Sequence, residues 1–304
     1  MKTINLGKSS ITASSLALGL MRLNTISEQK AIELIETAMD LGINFFEHAD
    51  IYGGGECEDI FGKIKNESQR EKMIIQTKCG IIPGKMFDFS KEHILYSVDK
   101  SLKKLKTDYI DILVLHRPDT LVEPEEVAEA FNLLKSSGKV REFGVSNHNS
   151  MQIEFLQKHL DQKIIVNQMQ FGVAHTPMID SGIYANMFDQ RAIDRDGSTL
   201  DYCRLKDITI QAWSPFQYGY FEGLVIDNPK YSELNAKLQE IGNKYGVSKS
   251  SIAVAFITRH PAKIQTLLGT MNPERLKELS TSDEVYLTRE EWYSIYQSAG
   301  NILP

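Results

Sequence analysis

Cysteine is scarce in this chain. Cys57, Cys79 and Cys203 are the only three thiols in 304 residues. An odd, scattered set cannot staple a small secreted fold, and it fits small buried residues in a reducing cytoplasm. Long apolar runs are missing too, so no membrane partner is expected. The N-terminal segment lacks the basic start and apolar core of a signal peptide. There is no surplus of positive charge: the net charge is −6 and no Lys/Arg cluster stands out, so nucleic acid is not an expected partner. No Pro/Gly/Ser-rich linker divides the chain, and one domain over residues 1–304 is expected. His48, His148 and His175 show no tight metal-ligand spacing with cysteines or carboxylates, so no metal site is expected.

What recurs is a short apolar run followed by a helical pattern. Strand-like runs fall at 16–20, 43–46, 73–77, 109–115, 140–145, 164–166, 208–212 and 264–268. Between them, apolar residues return every three or four positions, as in Ala31, Leu34, Ala38 and Leu41, or Ile94, Val98 and Leu102. Ser27 is placed to cap the first helix, Gly42 to stop it, and Thr288 with Glu291 to form a capping box on the last. The opening residues, with a Gly7-Lys8 turn, read as a β-hairpin. A stretch at 171–197 has no clear period and reads as a long loop after the sixth strand. Eight alternations predict an α/β fold of the (β/α)₈ TIM-barrel class. The competing architecture, a doubly wound open sheet, would carry a glycine fingerprint after its first strand. That turn here reads Gly19-Leu20-Met21-Arg22-Leu23.

Barrels of this class carry their chemistry on the carboxyl ends of the strands. Those positions hold Glu47 and Tyr52, Lys78, His116, Ser146 and Asn147, Gln168, Trp213 and Ser214, then Gly269 and Thr270. A phenol, an ammonium, an imidazole and a carboxylate on neighbouring strands suit carbonyl reduction. The ammonium can favour the phenolate and so help the phenol protonate a developing alkoxide. The carboxylate holds the ammonium in place, and the imidazole can orient the carbonyl oxygen.

The chain also resembles a known family, the aldo-keto reductases. The resemblance rests on Glu47-His48-Ala49-Asp50-Ile51-Tyr52-Gly53, Gln76-Thr77-Lys78, Leu115-His116-Arg117-Pro118, Gly144-Val145-Ser146-Asn147-His148, Asn167-Gln168, Ala212-Trp213-Ser214-Pro215, and Gly269-Thr270 with Arg275. It implies reversible reduction of aldehydes and ketones, a small-molecule carbonyl substrate, and NADPH as cofactor with NADH as the alternative. By position it implies Tyr52 as general acid, Lys78 tuning it, and His116 orienting the carbonyl. Ser146, Asn147 and Gln168 fall at the nicotinamide carboxamide, and Trp213 or Phe216 at the nicotinamide face. The loop from Ser214 covers the pyrophosphate. Gly269, Thr270 and Arg275 fall at the adenosine end, and Gly19 and Met21 at the cofactor trench. Two residues depart from the family pattern. Glu47 stands where Asp is usual, and Gly269 stands where many NADPH-preferring members have Lys. A nucleotide-binding regulatory or auxiliary protein on the same barrel, like the potassium-channel β-subunits, is the alternative function. The resemblance places the substrate walls on variable loops, here 171–197 and the C-terminal tail.

Overall fold

The computed structural model describes residues 1–65 and 67–304. Eight parallel strands close into a barrel: β1 (Leu16–Gly19), β2 (Phe45–Glu47), β3 (Ile74–Cys79), β4 (Ile110–Leu115), β5 (Val140–Ser146), β6 (Ile164–Gln170), β7 (Thr209–Trp213) and β8 (Gln265–Leu268). Each pairs with its neighbour in sequence, and β8 pairs with β1. This is the expected (β/α)₈ barrel; closure rules out the open sheet. All six residues of β4 are buried, as they must be in a strand covered by helices outside and by packed side chains inside.

The outer layer contains α1 (Glu28–Asp40), α2 (Glu56–Ile64), α3 (Lys91–Leu105), α4 (Pro124–Ser136), α5 (Ser150–Gln157), α6 (Pro177–Ile183), α7 (Thr199–Lys206), α8 (Ser232–Tyr245), α9 (Lys249–Thr258), α10 (Pro273–Ser280) and α11 (Arg289–Ser298). The expected caps form. The Ser27 side chain accepts from the Lys30 amide, and Thr288 and Glu291 make a capping box on α11. α5 is capped by Asn149, whose side chain accepts from the Gln152 amide. Among the described residues no helix is long and apolar enough to cross a membrane.

The N-terminal hairpin pairs Thr3–Asn5 with Thr12–Ser14. Its Leu6 and Ala13 pack against Phe45, Ile112, Ile165 and Leu267 inside the barrel. Phe45 opens β2 and Ile165 lies near the start of β6, so the hairpin plugs the amino end. Only the carboxyl rim stays open for a ligand.

The segment at 171–197 is not an irregular loop. It contains α6, and α7 follows before β7. None of its residues lines the cavity at the carboxyl rim. Phe171 is fully buried and stacks on Phe256 of α9 at 6.0 Å. Asp180 accepts from the Tyr296 hydroxyl at 2.7 Å, and the Tyr184 hydroxyl bonds both the carbonyl and the amide of Ile302. The segment and the C-terminal tail are therefore committed to packing on each other and on α9 and α11.

One close approach sets the position of α2. A Cβ on Gly62 would lie 2.0 Å from the Lys104 carbonyl oxygen and 2.9 Å from the Leu105 Cα. Those are backbone atoms at the end of α3, with no side chain to swing aside. Gly62→Ala is expected to destabilise the protein by ~3 kcal/mol in urea unfolding, the upper end of ordinary overpacking costs. A loss below ~1 kcal/mol would mean that α2 is not seated against α3 by backbone contact.

Candidate active site

β2 ends in Glu47, and the chain then turns sharply at Tyr52–Gly55, where Gly53 and Gly54 sit at positive φ of 58° and 66°. A side chain at either position would be strained. The turn brings the Tyr52 ring back over the strand ends. Lys78, near the end of β3, is fully buried beneath it.

The Lys78 ammonium spends all three of its N–H donors. One goes to Glu47 Oε1, one to the His48 carbonyl at 2.9 Å and one to the Tyr52 hydroxyl oxygen at 2.8 Å. Tyr52 in turn donates its own proton to Glu47 Oε1 at 3.0 Å. The longer glutamate thus does reach Lys78, and it also takes the phenol. Asp50, the other carboxylate in the motif, makes no such contact. Its Oδ1 is buried without a partner among the described residues, and burial, reinforced by Glu58, pushes its carboxyl up to about 7.

Burial is the largest influence on Tyr52, Lys78 and His116. Together with the Glu47 carboxylate it raises the Tyr52 phenol well above its ordinary value. The sequence argument expected Lys78 to lower it; in this arrangement burial and Glu47 prevail, and Tyr52 is held protonated. Burial lowers the Lys78 ammonium, and the Glu47 carboxylate opposes that shift. The His116 imidazole is held well below its usual range by burial and then by Lys78 and Arg117, so it is neutral. Its ring stands edge-on to Tyr52 at 6.1 Å between centroids, and its Nδ1 has no partner among the described residues.

On the far side of the rim, the Asn147 amide donates to Ser146 Oγ at 2.7 Å, and Ser146 Oγ donates to the Gln168 carbonyl at 3.0 Å. Trp213 Nε1 donates to Asn147 Oδ1 at 3.2 Å. Trp213 therefore belongs with Ser146, Asn147 and Gln168. Phe216 lies under the Arg275 guanidinium instead, 6.0 Å from ring to cation. Arg275 opens α10, whose Asn272 cap accepts from the Glu274 and Arg275 amides.

A cavity of about 900 Å³ joins these groups. Its walls include Gly19, Met21, Glu47, Tyr52, His116, Ser146, Asn147, Gln168, Trp213, Ser214, Phe216, Gly269, Thr270 and Arg275. Every candidate read from the sequence thus faces one space, except Lys78, which lies behind Tyr52. The sequence reading missed Arg22, Ile81 and Arg117, which also line it, as do Tyr220 and Phe221 of the loop expected to cover the pyrophosphate. Arg117 follows His116 directly, and that adjacency was the available signal. His48 and His148 are packing residues: His48 lies edge-on to Phe61, and His148 stacks on Phe89 and bonds the Ser146 carbonyl through Nδ1. Among the described residues no group of three His, Cys, Asp or Glu is placed to hold a metal ion.

The residues present fit a nicotinamide dinucleotide. Side-chain amides and a hydroxyl cluster beside an indole at one end, and a guanidinium with no ion-pair partner among the described residues stands over an aromatic ring at the other. The Aldo/keto reductase family model matches residues 15–299. An uncharacterized oxidoreductase, YcsN, of Bacillus subtilis is 37% identical over 91% of each chain. A 6-dehydroglucose reductase of Agrobacterium fabrum is 34% identical over 87% of this chain and 86% of its own. In shape, the crystal structure of the thermostable aldo-keto reductase Tm1743 with the inhibitor epalrestat superposes with a TM-score of 0.79, over 98% of this chain and 100% of that one, at 23% identity.

Proposed function

We propose a function from the premise that this chain belongs to the aldo/keto reductase family: it reduces an aldehyde or ketone to the alcohol with NADPH, and Tyr52 supplies the proton. The observation that supports this most is the bonding of one phenol to a buried ammonium beside a neutral imidazole, all at one cavity.

Bound NADPH supplies the hydride to the carbonyl carbon; this chain supplies the rest. Tyr52 is held protonated and so is an acid in waiting. His116, being neutral, can donate an N–H to the carbonyl oxygen without delivering its own proton. As the alkoxide develops, Tyr52 releases its proton to that oxygen and Lys78 faces the resulting phenolate at hydrogen-bond distance. Ser146, Asn147 and Gln168 would hold the nicotinamide amide, Trp213 its ring face, and Arg275 the 2′-phosphate. Gly19, Met21, Ser214, Phe216, Gly269 and Thr270 line the remaining trench. The three free, buried cysteines support work in a reducing cytoplasm. The test is NADPH oxidation with a panel of aldehydes and ketones, with the alcohol identified as product.

Arg275→Ala is expected to raise the KM for NADPH about 10- to 100-fold, the worth of a charge-assisted pair. KM for NADH should stay within about threefold. Equal losses for both cofactors would remove Arg275 from the 2′-phosphate. A second reading, a nucleotide-binding auxiliary protein with little turnover, is favoured by one feature: Tyr52 donates to Glu47 and not outward. Tight NADPH binding with negligible reduction across the panel would decide for it.

A further inference from the structure

The cavity is cationic although the chain is acidic. Its Arg, Lys, Asp and Glu lining consists of Arg22, Arg117, Arg275 and Glu47, in a chain of net charge −6. Glu47 is already paired with Lys78. Arg275 lies in the first turn of α10, at the end assigned to the cofactor. Arg22 is exposed and donates to the Gly269 carbonyl at 2.5 Å, which ties β1's loop to β8's. That leaves Arg117. It is half-buried, it follows His116 directly, and its guanidinium makes no hydrogen bond or ion pair with any described residue. Its recorded neighbour is the Tyr220 ring, 5.6 Å from the cation. A guanidinium in a partly dry pocket is normally matched by a carboxylate or by carbonyl oxygens. Here the protein leaves it without one, beside the group placed to orient the reacting carbonyl.

We infer that Arg117 is the specificity residue for the substrate, and that the substrate is a carbonyl compound bearing a carboxylate a short distance from its reacting carbon. The planar guanidinium fork matches a carboxylate in a two-point contact. Arg117 lines the same cavity as His116 and lies near enough to act on its imidazole electrostatically, so a carboxylate on the guanidinium and a carbonyl at His116 can belong to one small molecule. A phosphate dianion would draw on a second cation beside Arg117, and Arg22 already ties one N–H to the Gly269 carbonyl; turnover of glyceraldehyde phosphate against the oxo acid separates the two anions. The inference rests on the carbonyl-reductase reading above.

Succinic semialdehyde and butanal form a matched pair that differs in the carboxylate. The wild-type enzyme should favour the acid in kcat/KM by about 10- to 100-fold. Arg117→Gln should erase that preference, chiefly through a rise in KM for the oxo acid. Because Arg117 bonds no described residue, the variant should fold normally. Equal use of both aldehydes by the wild type, or a preference for glyceraldehyde phosphate over the oxo acid, overturns the inference and leaves the reductase reading intact. A tenfold or larger loss of NADPH affinity in Arg117→Gln also overturns it, because the guanidinium would then serve the cofactor. Should neither aldehyde turn over, the reductase reading is what fails. Calorimetric titration of the NADP⁺-loaded protein with gamma-hydroxybutyrate still decides: binding lost in Arg117→Gln supports the anion site, and binding unchanged by it refutes the site.

Discussion

Tyr52→Phe is expected to lower kcat for carbonyl reduction by at least about 10³-fold, within the range of general-acid contributions, while NADPH binds as in wild type. The substitution removes one oxygen and keeps the ring. Two hydrogen bonds go with that oxygen, one from Lys78 and one to Glu47. Lys78 keeps the His48 carbonyl and Glu47 as acceptors, so the fold should lose only about 1 kcal/mol. The cofactor contacts assigned to Ser146, Asn147, Gln168, Trp213 and Arg275 lie on other elements and are untouched. His116 still polarises the carbonyl, which leaves a slow background. Stopped-flow reduction of a reactive aldehyde together with fluorescence titration of NADPH separates the two effects. A kcat within tenfold of wild type would mean that the proton comes from elsewhere, with a water held at His116 as the next group to examine.

Much of this site was legible as a list because barrel topology converts strand ends into one rim. Glu47, His116, Ser146 and Gln168 could be placed there from the apolar runs that precede them. What the list could not contain is direction. Whether Glu47 bonds the ammonium, the phenol or both depends on one methylene and on a turn that two left-handed glycines create. Trp213 and Phe216 were equivalent as letters; the Asn147 hydrogen bond and the Arg275 guanidinium separate them. The walls of the cavity were misplaced. The aromatics Phe171, Tyr184 and Phe188 read equally well as a substrate wall or as packing; burial against α9 and the tail makes Phe171 and Tyr184 packing residues, while Phe188 is exposed and lies outside the cavity lining. Arg22 and Arg117 left no periodic trace because a rim loop has no period. Helix α7 escaped because it buries only Thr199, Leu200 and Cys203, too few apolar positions to register as a stripe.

Position 47, where the resemblance leads one to expect an aspartate, holds the longer Glu47, and Glu47→Gln and Glu47→Asp should part in opposite directions. In Glu47→Gln, Lys78 stays buried but loses the carboxylate that opposes its desolvation. Its pKa, already lowered by burial, falls further. Activity needs the ammonium, so the alkaline limb of the kcat profile marks loss of the Lys78 proton. Removing Glu47 moves that limb to lower pH. At neutral pH kcat should fall about 10²- to 10³-fold, and stability by about 3–5 kcal/mol, the usual cost of breaking one side of a buried pair. Glu47→Asp keeps the charge and shortens the reach by about 1.5 Å, one carbon–carbon bond. From this backbone the shorter acid can keep the ammonium but lets go of the phenol. Tyr52 is then free to point its proton at the substrate, and the carboxylate that helps raise its pKa has withdrawn. Turnover in Glu47→Asp should equal or exceed wild type, with the alkaline limb unmoved. A large gain would show that the native glutamate restrains the enzyme, as the auxiliary reading requires. A loss as deep as that of Glu47→Gln would show that reach, more than charge, is what Lys78 needs from position 47.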